Sequence, residues 1–531
     1  AVTFFLKSLP EEEYRMADAG TRRWWALAAL SVTLLVVGLD VTVLNVALPT
    51  LSRDLHASSG QLQWFADAYG LVLAAVLLPA GMLGDRFGAK RLLLGALAVF
   101  GISSAACAYS GSPNGLIAAR VGLGLGAAFL TPLAMSVLTV LFPGPERRRA
   151  LAIIVTSNTI GVPLGPIIGG WLLDHYWWGS IFLINVPLIA IALVAVAVLL
   201  PDIPGTSRLT LDVVGVVTSS AGLIAITYGV IEAGQNGWGS ATTIGTLMAG
   251  AVVLAGFVAW QRWYAHPLVD LALFRSRPFT GGSVLATIIT FTMFGLIFVM
   301  PQFFQAVNGV DNFGTGLRLL PIIGGLVIGT RVSQRIAPRV EARTLIAIGF
   351  TLVSVGAFVG SSTGSGTSYL FVGGWMALAG AGLGFTLPAA MDASLGALAP
   401  ARAGTGSALI MTMRQVGGAI GVAILGTILN SVYRSGLDLS GLRPAAADAA
   451  RHSVTAGAQV AEQSGSPVLA ESIRSSFTHA VTTVLTVSGA IAAVGIPLAL
   501  WLMPHRAASA TTPDIAESES ESAREQSLIV E

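Results

Sequence analysis

Two carboxyl side chains stand in stretches too apolar to welcome them. Asp40 follows the apolar run 34–38, and Asp67 lies within WFADAYGLVLAA at 64–75. An ionisable residue deep in a bilayer costs roughly 2.5–3.5 kcal/mol on insertion scales, which makes each a functional candidate by default. A low dielectric penalises the charged form of a carboxyl, and a group poised between its two forms can bind and release a proton. Asp67 is near enough to the start of its stretch for solvent to weaken that effect. A hydrogen-bonded structural aspartate is the plainer reading of both. Arg120 is a different case, because a guanidinium keeps its proton in a protein. It can bias the charge state of a neighbour, or simply snorkel to an interface. Arg414 and Gln415 place a second cation and an amide in the segment TMRQVGG.

These side chains need a membrane around them. The 531 residues are 54% hydrophobic and 11% charged, against about 25% charged in soluble domains. Apolar runs of roughly twenty residues match a ~30 Å hydrocarbon core at about 1.5 Å per helical residue. The 62 glycines suit helices packed backbone to backbone. A net charge of +2 gives no signal for nucleic acid, and the lone Cys107 rules out an internal disulfide. The six histidines lack metal-ligand spacing, and no G-x-x-x-x-G-K-[ST] loop is present. The glycines around Gly124 sit inside an apolar helix with no strand before them, so they do not make a dinucleotide site. Neither metal nor organic cofactor is expected, and the chain does not read as an enzyme.

Apolar windows bounded by Arg, Pro and Gly clusters predict fourteen helices. They run over 23–51, 61–83, 89–110, 114–142, 148–174, 178–201, 211–233, 241–262, 278–306, 312–333, 342–362, 367–395, 404–431 and 476–503. Arg22, Arg23, Arg86, Lys90, Arg91, Arg147 to Arg149, Arg208, Arg262, Arg275, Arg277, Arg335, Arg339, Arg343, Arg402 and Arg506 fall on one side, with Arg53 opposite. The positive-inside bias puts that side, and both termini, in the cytoplasm of a bacterial cell. Residues 1–21 read as an N-terminal extension, with Met16 a plausible natural start, and 505–531 as a disordered tail rich in Ser and Glu. A long external loop, about 433–473, could form a short amphipathic helix or hairpin.

The two ends of the chain echo each other. GLGLGAAFLTPLAM from Gly122 is matched by GAGLGFTLPAAM from Gly380, and Gly161 and Gly165 by Gly417 and Gly421 at the same spacing. The implied organisation is an N-terminal six-helix bundle (22–203), an inserted helix pair with linkers (204–265), and a C-terminal six-helix bundle (266–504). Parallel halves with a site between them near the bilayer midplane are the logic of a rocking transporter.

Three sets of residues narrow the reading. The loop GMLGDRFGAKRLL runs from Gly81 to Leu93. Its Gly81, Gly84 and Gly88 permit close approach and a tight turn. Asp85 can neutralise a helix N-terminus, while Arg86, Lys90 and Arg91 anchor the loop. LDVTVLNVALP spans 39–49, and AARVGLGLGAA surrounds Arg120. GVPLGPIIGGWL spans 161–172, followed by WWGSIFLINVP. There Pro163 and Pro166 remove backbone donors and bend the helix, while Gly165, Gly169 and Gly170 let another helix close on it. Together these residues resemble the major facilitator superfamily, in its fourteen-helix drug:proton antiporter branch of multidrug and quaternary-ammonium exporters.

That resemblance implies an all-α polytopic membrane protein of the major facilitator fold, powered by a proton gradient and exporting small amphipathic molecules. It implies proton or substrate handling at Asp40 and Asp67, with Arg120 as the motif arginine. The Gly161–Gly170 stretch corresponds to the antiporter motif. Several multidrug members of that family carry acids on the helix that here bears Arg414, which weakens any dicationic preference and points to neutral, monocationic or partly anionic substrates. Asn158 holds the matching place in the fifth helix. Asn45, Trp64, Tyr69, Asn185, Gln302 and Gln305 complete the candidate cavity, with Asp392 and Arg318 as further charges. The equivalent loop, 329–343, keeps arginines but lacks the acidic residue. Protons, lipid and a small substrate are the expected partners of a monomer. Two other readings fit the same residues: an exporter or flippase of an endogenous lipid or metabolite, and a membrane sensor that does not transport.

Overall fold

A computed structural model describes residues 11–142, 146–202, 212–265, 267–398, 403–439 and 444–503. Some side chains within these stretches, including those of Asp85, Asn158 and Pro163 and those before Arg22, lie outside the description. The expected tail, 505–531, lies outside it altogether. No strand occurs among the described residues.

The first set of helices comprises α1 (Glu11–Asp54), α2 (Ser59–Phe87), α3 (Ala89–Ala108), α4 (Pro113–Leu141), α5 (Glu146–His175), α6 (Ser180–Leu183) and α7 (Asn185–Leu199). An inserted pair follows, α8 (Val213–Asn236) and α9 (Ala241–Trp263). The later set comprises α10 (Arg277–Ala306), α11 (Asn312–Arg318), α12 (Leu320–Ile336), α13 (Ala342–Gly360), α14 (Tyr369–Gly396), α15 (Ala403–Gly436) and α18 (Pro467–Leu502). Between α15 and α18 the expected loop contains two short helices, α16 (Pro444–His452) and α17 (Val454–Ser464). Among the described residues, 12 segments are long and apolar enough to cross a bilayer. The helices α2 and α5, 29 and 30 residues long, are not among those twelve.

Helix ends follow local chemistry. Ser58 and Gln61 form a capping box at α2, and Ser112 and Ser466 each cap a helix that opens with proline. Gly88 turns the chain between α2 and α3 at φ 93°, a backbone conformation side chains resist.

The same pairings recur in both sets. In the first, α1 packs on α5 and α7, α2 on α4, and α3 on α4 and α7. In the later set, α10 packs on α15 and α18, α12 on α14, and α13 on α14 and α18. The glycine echo has a physical cause in these pairings. A Cβ on Gly165 would lie 2.7 Å from the Leu39 carbonyl oxygen of α1, and one on Gly421 2.9 Å from the Phe291 carbonyl carbon of α10. Both glycines sit where two backbones touch. Pro166 has no N–H to give the Val162 carbonyl, and Thr42 Oγ1 of α1 donates to it instead at 2.8 Å.

Hydrogen bonds crossing between the two sets are found toward the arginine-poor ends of the helices. Gln305 Nε2 donates to the Val46 carbonyl at 2.9 Å, and Gln63 Nε2 to the Ala423 carbonyl at 3.5 Å. The Asp174 carboxylate, ending α5, accepts from Asn312 N, Asn312 Nδ2 and Phe313 N at 3.2, 2.8 and 2.9 Å. Ser52 and Ser453 hydroxyls meet at 2.9 Å beneath α17.

The inserted pair is tied to the later set at both ends. Thr427 Oγ1 donates to the Val230 carbonyl at 2.9 Å and Asn430 Nδ2 to the Gly234 carbonyl at 3.2 Å. At the other end Asp212, 1% exposed, caps α8. Its carboxylate accepts from Gly215 N, Trp260 Nε1, Gln261 Nε2 and Leu268 N at 2.8, 2.9, 2.6 and 3.4 Å. Burial pushes this carboxyl up, but those donors together hold it below the usual carboxylate value of 3.8.

Two outcomes are expected. Replacing Gly421 or Gly165 with valine should remove most folded protein from detergent extracts, read by size-exclusion fluorescence, since overpacking costs about 1–3 kcal/mol. Gly256→Ala, in open space, should leave the profile unchanged. Because the folded value of Asp212 is lowered, its contribution is complete above its unfolded value and fades only as pH falls through the folded one. The melting-temperature gap between wild type and Asp212→Ala should therefore stay constant from pH 5 to 8 and shrink only below about pH 4.

Candidate functional site

The first set closes on one buried ion pair. Arg120 Nη1 of α4 lies 3.0 Å from Asp40 Oδ2 of α1, with the two residues 2% and 0% exposed. Asn185 Nδ2 of α7 donates to Asp40 Oδ1 at 3.2 Å and reaches Ser104 Oγ of α3 at 3.1 Å. Ser104 in turn donates to the Phe182 carbonyl of α6 at 2.8 Å. Arg120 Nε donates to the Phe65 carbonyl of α2 at 3.0 Å, and its guanidinium lies over the Tyr69 ring, 4.6 Å from the centroid. Each charge is matched and hydrogen-bonded, which is the condition for keeping it out of water. Asp40, read from sequence as a carboxyl alone in oil, is instead one partner of a closed pair.

Asp67 is placed differently. It is 1% exposed, and its Oδ2 has no hydrogen-bond partner among the described residues. It lines a cavity of ≈ 30 Å³ between the two sets, together with Asn45, Tyr69, Arg120, Phe294, Gln415 and Gly418. That volume holds a water or two, whereas drug-sized ligands need about 300–1,000 Å³. Entry of such a ligand therefore requires the two sets to part. The structure thus separates two carboxyls that the sequence presented as equals: one is locked, and one is unpartnered at the contact between halves.

The other sequence candidates divide in the same way. Asn45, Tyr69 and Gln415 line the central cavity with Asp67. Arg414 stands on the second half, its Nε donating to Thr290 Oγ1 at 3.3 Å and Nη1 lying 3.9 Å from the Met391 sulfur. Asn185 belongs to the Asp40 network. Trp64 turns away, packing on Val230 and Ile231 of the inserted pair with its ring 6.4 Å from that of Tyr228. Gln305 bridges to α1, and Gln302 donates to its own helix at Phe298 beside Asn430 and Tyr433. Arg318 lies over the rings of Phe304 and Tyr369. Asp392 is exposed, on a separate cavity of ≈ 380 Å³ that it shares with Glu341. The side chain of Asn158 is outside the description.

In the signature loop, Lys90 Nζ donates to the Leu200 carbonyl at 2.6 Å and pairs with Asp202 at 3.3 Å. Arg86 lies over the Phe87 ring, and Arg91 is exposed. Gly84 presses on Leu133 of α4, whereas a Cβ on Gly81 would have ordinary room. In the antiporter stretch Gly161, Gly165 and Gly169 face α1, and Gly170 faces Asn312 and Phe313 of the other set. The loop 329–343 does contain an acid: Glu341 pairs with Arg343 at 2.7 Å. The sequence reading missed the Asp174–Asn312 contact. Its only signal was an acid closing one apolar stretch and an Asp-Asn pair opening another.

Residues 30–422 match the family described as Major Facilitator Superfamily. The tetracenomycin C resistance and export protein of Streptomyces glaucescens is 33% identical, over 90% of this chain and 91% of its own length. The multidrug efflux pump LfrA of Mycolicibacterium smegmatis is 34% identical, over 90% and 96%. The cephamycin export protein CmcT of Amycolatopsis lactamdurans is 36% identical, over 78% and 87%. The crystal structure of a bacterial homologue of the human lysosomal transporter Spinster, inward-facing and unoccupied, superposes with a TM-score of 0.65 at 19% identity, covering 92% of this chain and 99% of that one. With its paired helical halves and these relatives, the chain belongs to the major facilitator superfamily: it is a multi-pass membrane transporter and not an enzyme.

Proposed function

We propose that this transporter is a proton-coupled antiporter that exports small amphipathic drugs or antibiotics, with fourteen spans and both termini in the cytoplasm. The observation that carries the coupling is Asp67, a buried carboxyl without a partner at the contact between the halves. A group so placed binds either a proton or the polar end of a substrate, and that competition is what exchange requires. The Asp40–Arg120 pair holds the first half rigid around it. The arginine clusters support this orientation through the positive-inside bias. Cross-half bonds at the other side, centred on Asp174 and Gln305, hold the halves together at their external ends. The export relatives support the substrate class and the direction.

The exchange cycle follows. Substrate entering from the cytoplasm or the inner leaflet displaces a proton from Asp67. The halves rock about the central contact, breaking the Asp174 and Ser52 bonds. A proton arriving from outside then displaces the substrate. One elementary charge moved through 100 mV supplies about 2.3 kcal/mol, enough to concentrate a neutral substrate by roughly fifty-fold.

Asp67→Asn should abolish dye efflux driven by an imposed pH gradient in proteoliposomes. The melting temperature should stay within a few degrees, since the side chain has no hydrogen bond to lose among the described residues. Full gradient-driven efflux in this variant would remove Asp67 from the scheme. Arg120→Ala, by contrast, strands Asp40 and should cost about 3–5 kcal/mol of stability, seen as loss of folded protein. Asp40→Asn should lower both folded yield and efflux. Intact yield with only efflux lost would assign Asp40 the proton instead.

A further inference from the structure

Arg414 is a half-buried charge within a span that this exchange scheme leaves unused. It lies about 16 Å along α15 from Ala403, at ~1.5 Å per residue, well inside the span Gly406–Gly436. Its neighbours are neutral. Thr290 Oγ1 donates to the Ala286 carbonyl at 2.7 Å and is thereby oriented to accept from Arg414 Nε at 3.3 Å. The Met391 sulfur, 3.9 Å from Nη1, is a weak acceptor that a stronger one would displace. Among the described residues no carboxylate comes within ion-pair distance of this guanidinium, whereas Arg120 has Asp40.

Its position relates it to the central contact. Gly418, one turn further along the same face of α15, forms the cavity wall with Phe294, and Gln415, the residue after Arg414, lines the same cavity as Asp67. Arg414 therefore stands one turn toward the cytoplasmic side, on the half that does not carry Asp67. With Nε occupied by Thr290, the two Nη atoms remain as a planar fork, which suits a carboxylate's two oxygens.

We propose that Arg414 is the subsite for a substrate's anionic group, so that the carrier favours amphiphiles bearing both a carboxylate, or a similar oxyanion, and an ammonium group. This rests on the export reading above. The ammonium end competes with the proton at Asp67, which preserves exchange, while the anionic end supplies Arg414 with its missing counter-ion. A dication meets fixed repulsion at the same place.

The test uses full-length protein in nonionic detergent and two dyes differing at one group. Rhodamine 110 carries a free carboxylate beside its delocalised cation, and rhodamine 123 is its methyl ester. By fluorescence anisotropy, wild type should bind the acid at least about tenfold more tightly than the ester, roughly 1.4 kcal/mol. Arg414→Gln should bring the acid to the ester's affinity, and Arg414→Lys, which keeps the charge without the fork, should retain part of the preference. Equal affinities in wild type, failure to bind the acid, or a preference surviving in Arg414→Gln would each overturn the assignment. Displacement of the acid by stoichiometric phosphatidylglycerol, but not by phosphatidylcholine, would give the subsite to lipid and overturn it too. Efflux of the ester under a pH gradient is read separately. Its loss in wild type strikes the export reading, whereas the acid preference stands or falls on binding alone.

Discussion

The ion pair between Asp40 and Arg120 is the contact on which the first half depends. Through Asn185, Ser104 and the carbonyls of Phe65 and Phe182 it engages α1, α2, α3, α4, α6 and α7. Both charges are buried, so removing one partner would leave the other as an uncompensated buried charge. Such a network resists distortion. Movement has to occur elsewhere, and the contact between the halves is where bonds are few, end-located and replaceable.

The glycines define that rigidity from the other direction. Gly165 against Leu39 and Gly421 against Phe291 lock equivalent helix pairs within each half, with no side chain to rearrange. Gly170 and Gly316 allow an equally close backbone approach across the halves, facing Asn312 and Pro166, at the external ends. The antiporter stretch thus serves two surfaces of α5: its early glycines bind α1, and its last one meets the opposite half beside Asp174. The inserted pair hydrogen-bonds to α15 and to the linker before α10, and meets α2 through the tilted rings of Trp64 and Tyr228. Among the described residues its hydrogen bonds thus go to the second half, and its contact with the first is apolar packing.

Much of this was legible in the sequence because membranes make sequence explicit. Apolar length gives spans, and glycine spacing gives contacts. A charge in an apolar run gives a site, so Asp40, Asp67, Arg120 and Arg414 all stood out. Partnership did not. Nothing in the spacing of Asp40 and Arg120, eighty residues apart, says that they neutralise one another while Asp67 stays free. That depends on how α1, α2 and α4 rotate about their axes, which periodicity in a nearly all-apolar helix leaves open. Trp64 was misplaced for the same reason: it sits three residues before Asp67, yet points at α8. Asp212 escaped notice because a capping aspartate before an apolar run looks like ordinary loop polarity.

The distribution of charge also constrains the energetics of exchange. Asp40 and Arg120 cancel, so among the described residues Asp67 on one half and Arg414, one turn from the central cavity on the other, are left without an ion-pair partner. If a monovalent cation left for each proton that entered, no net charge would cross, and the membrane potential would contribute nothing. A substrate with no net charge changes that balance, because the proton then crosses alone and the potential's ~2.3 kcal/mol per 100 mV drives export directly. Cations at Asp67 alone would not need Arg414 at all. A cation retained in the middle of a span, against the cost of placing it there, is better matched to a cargo that brings its own negative charge and lets the voltage do the work of expulsion.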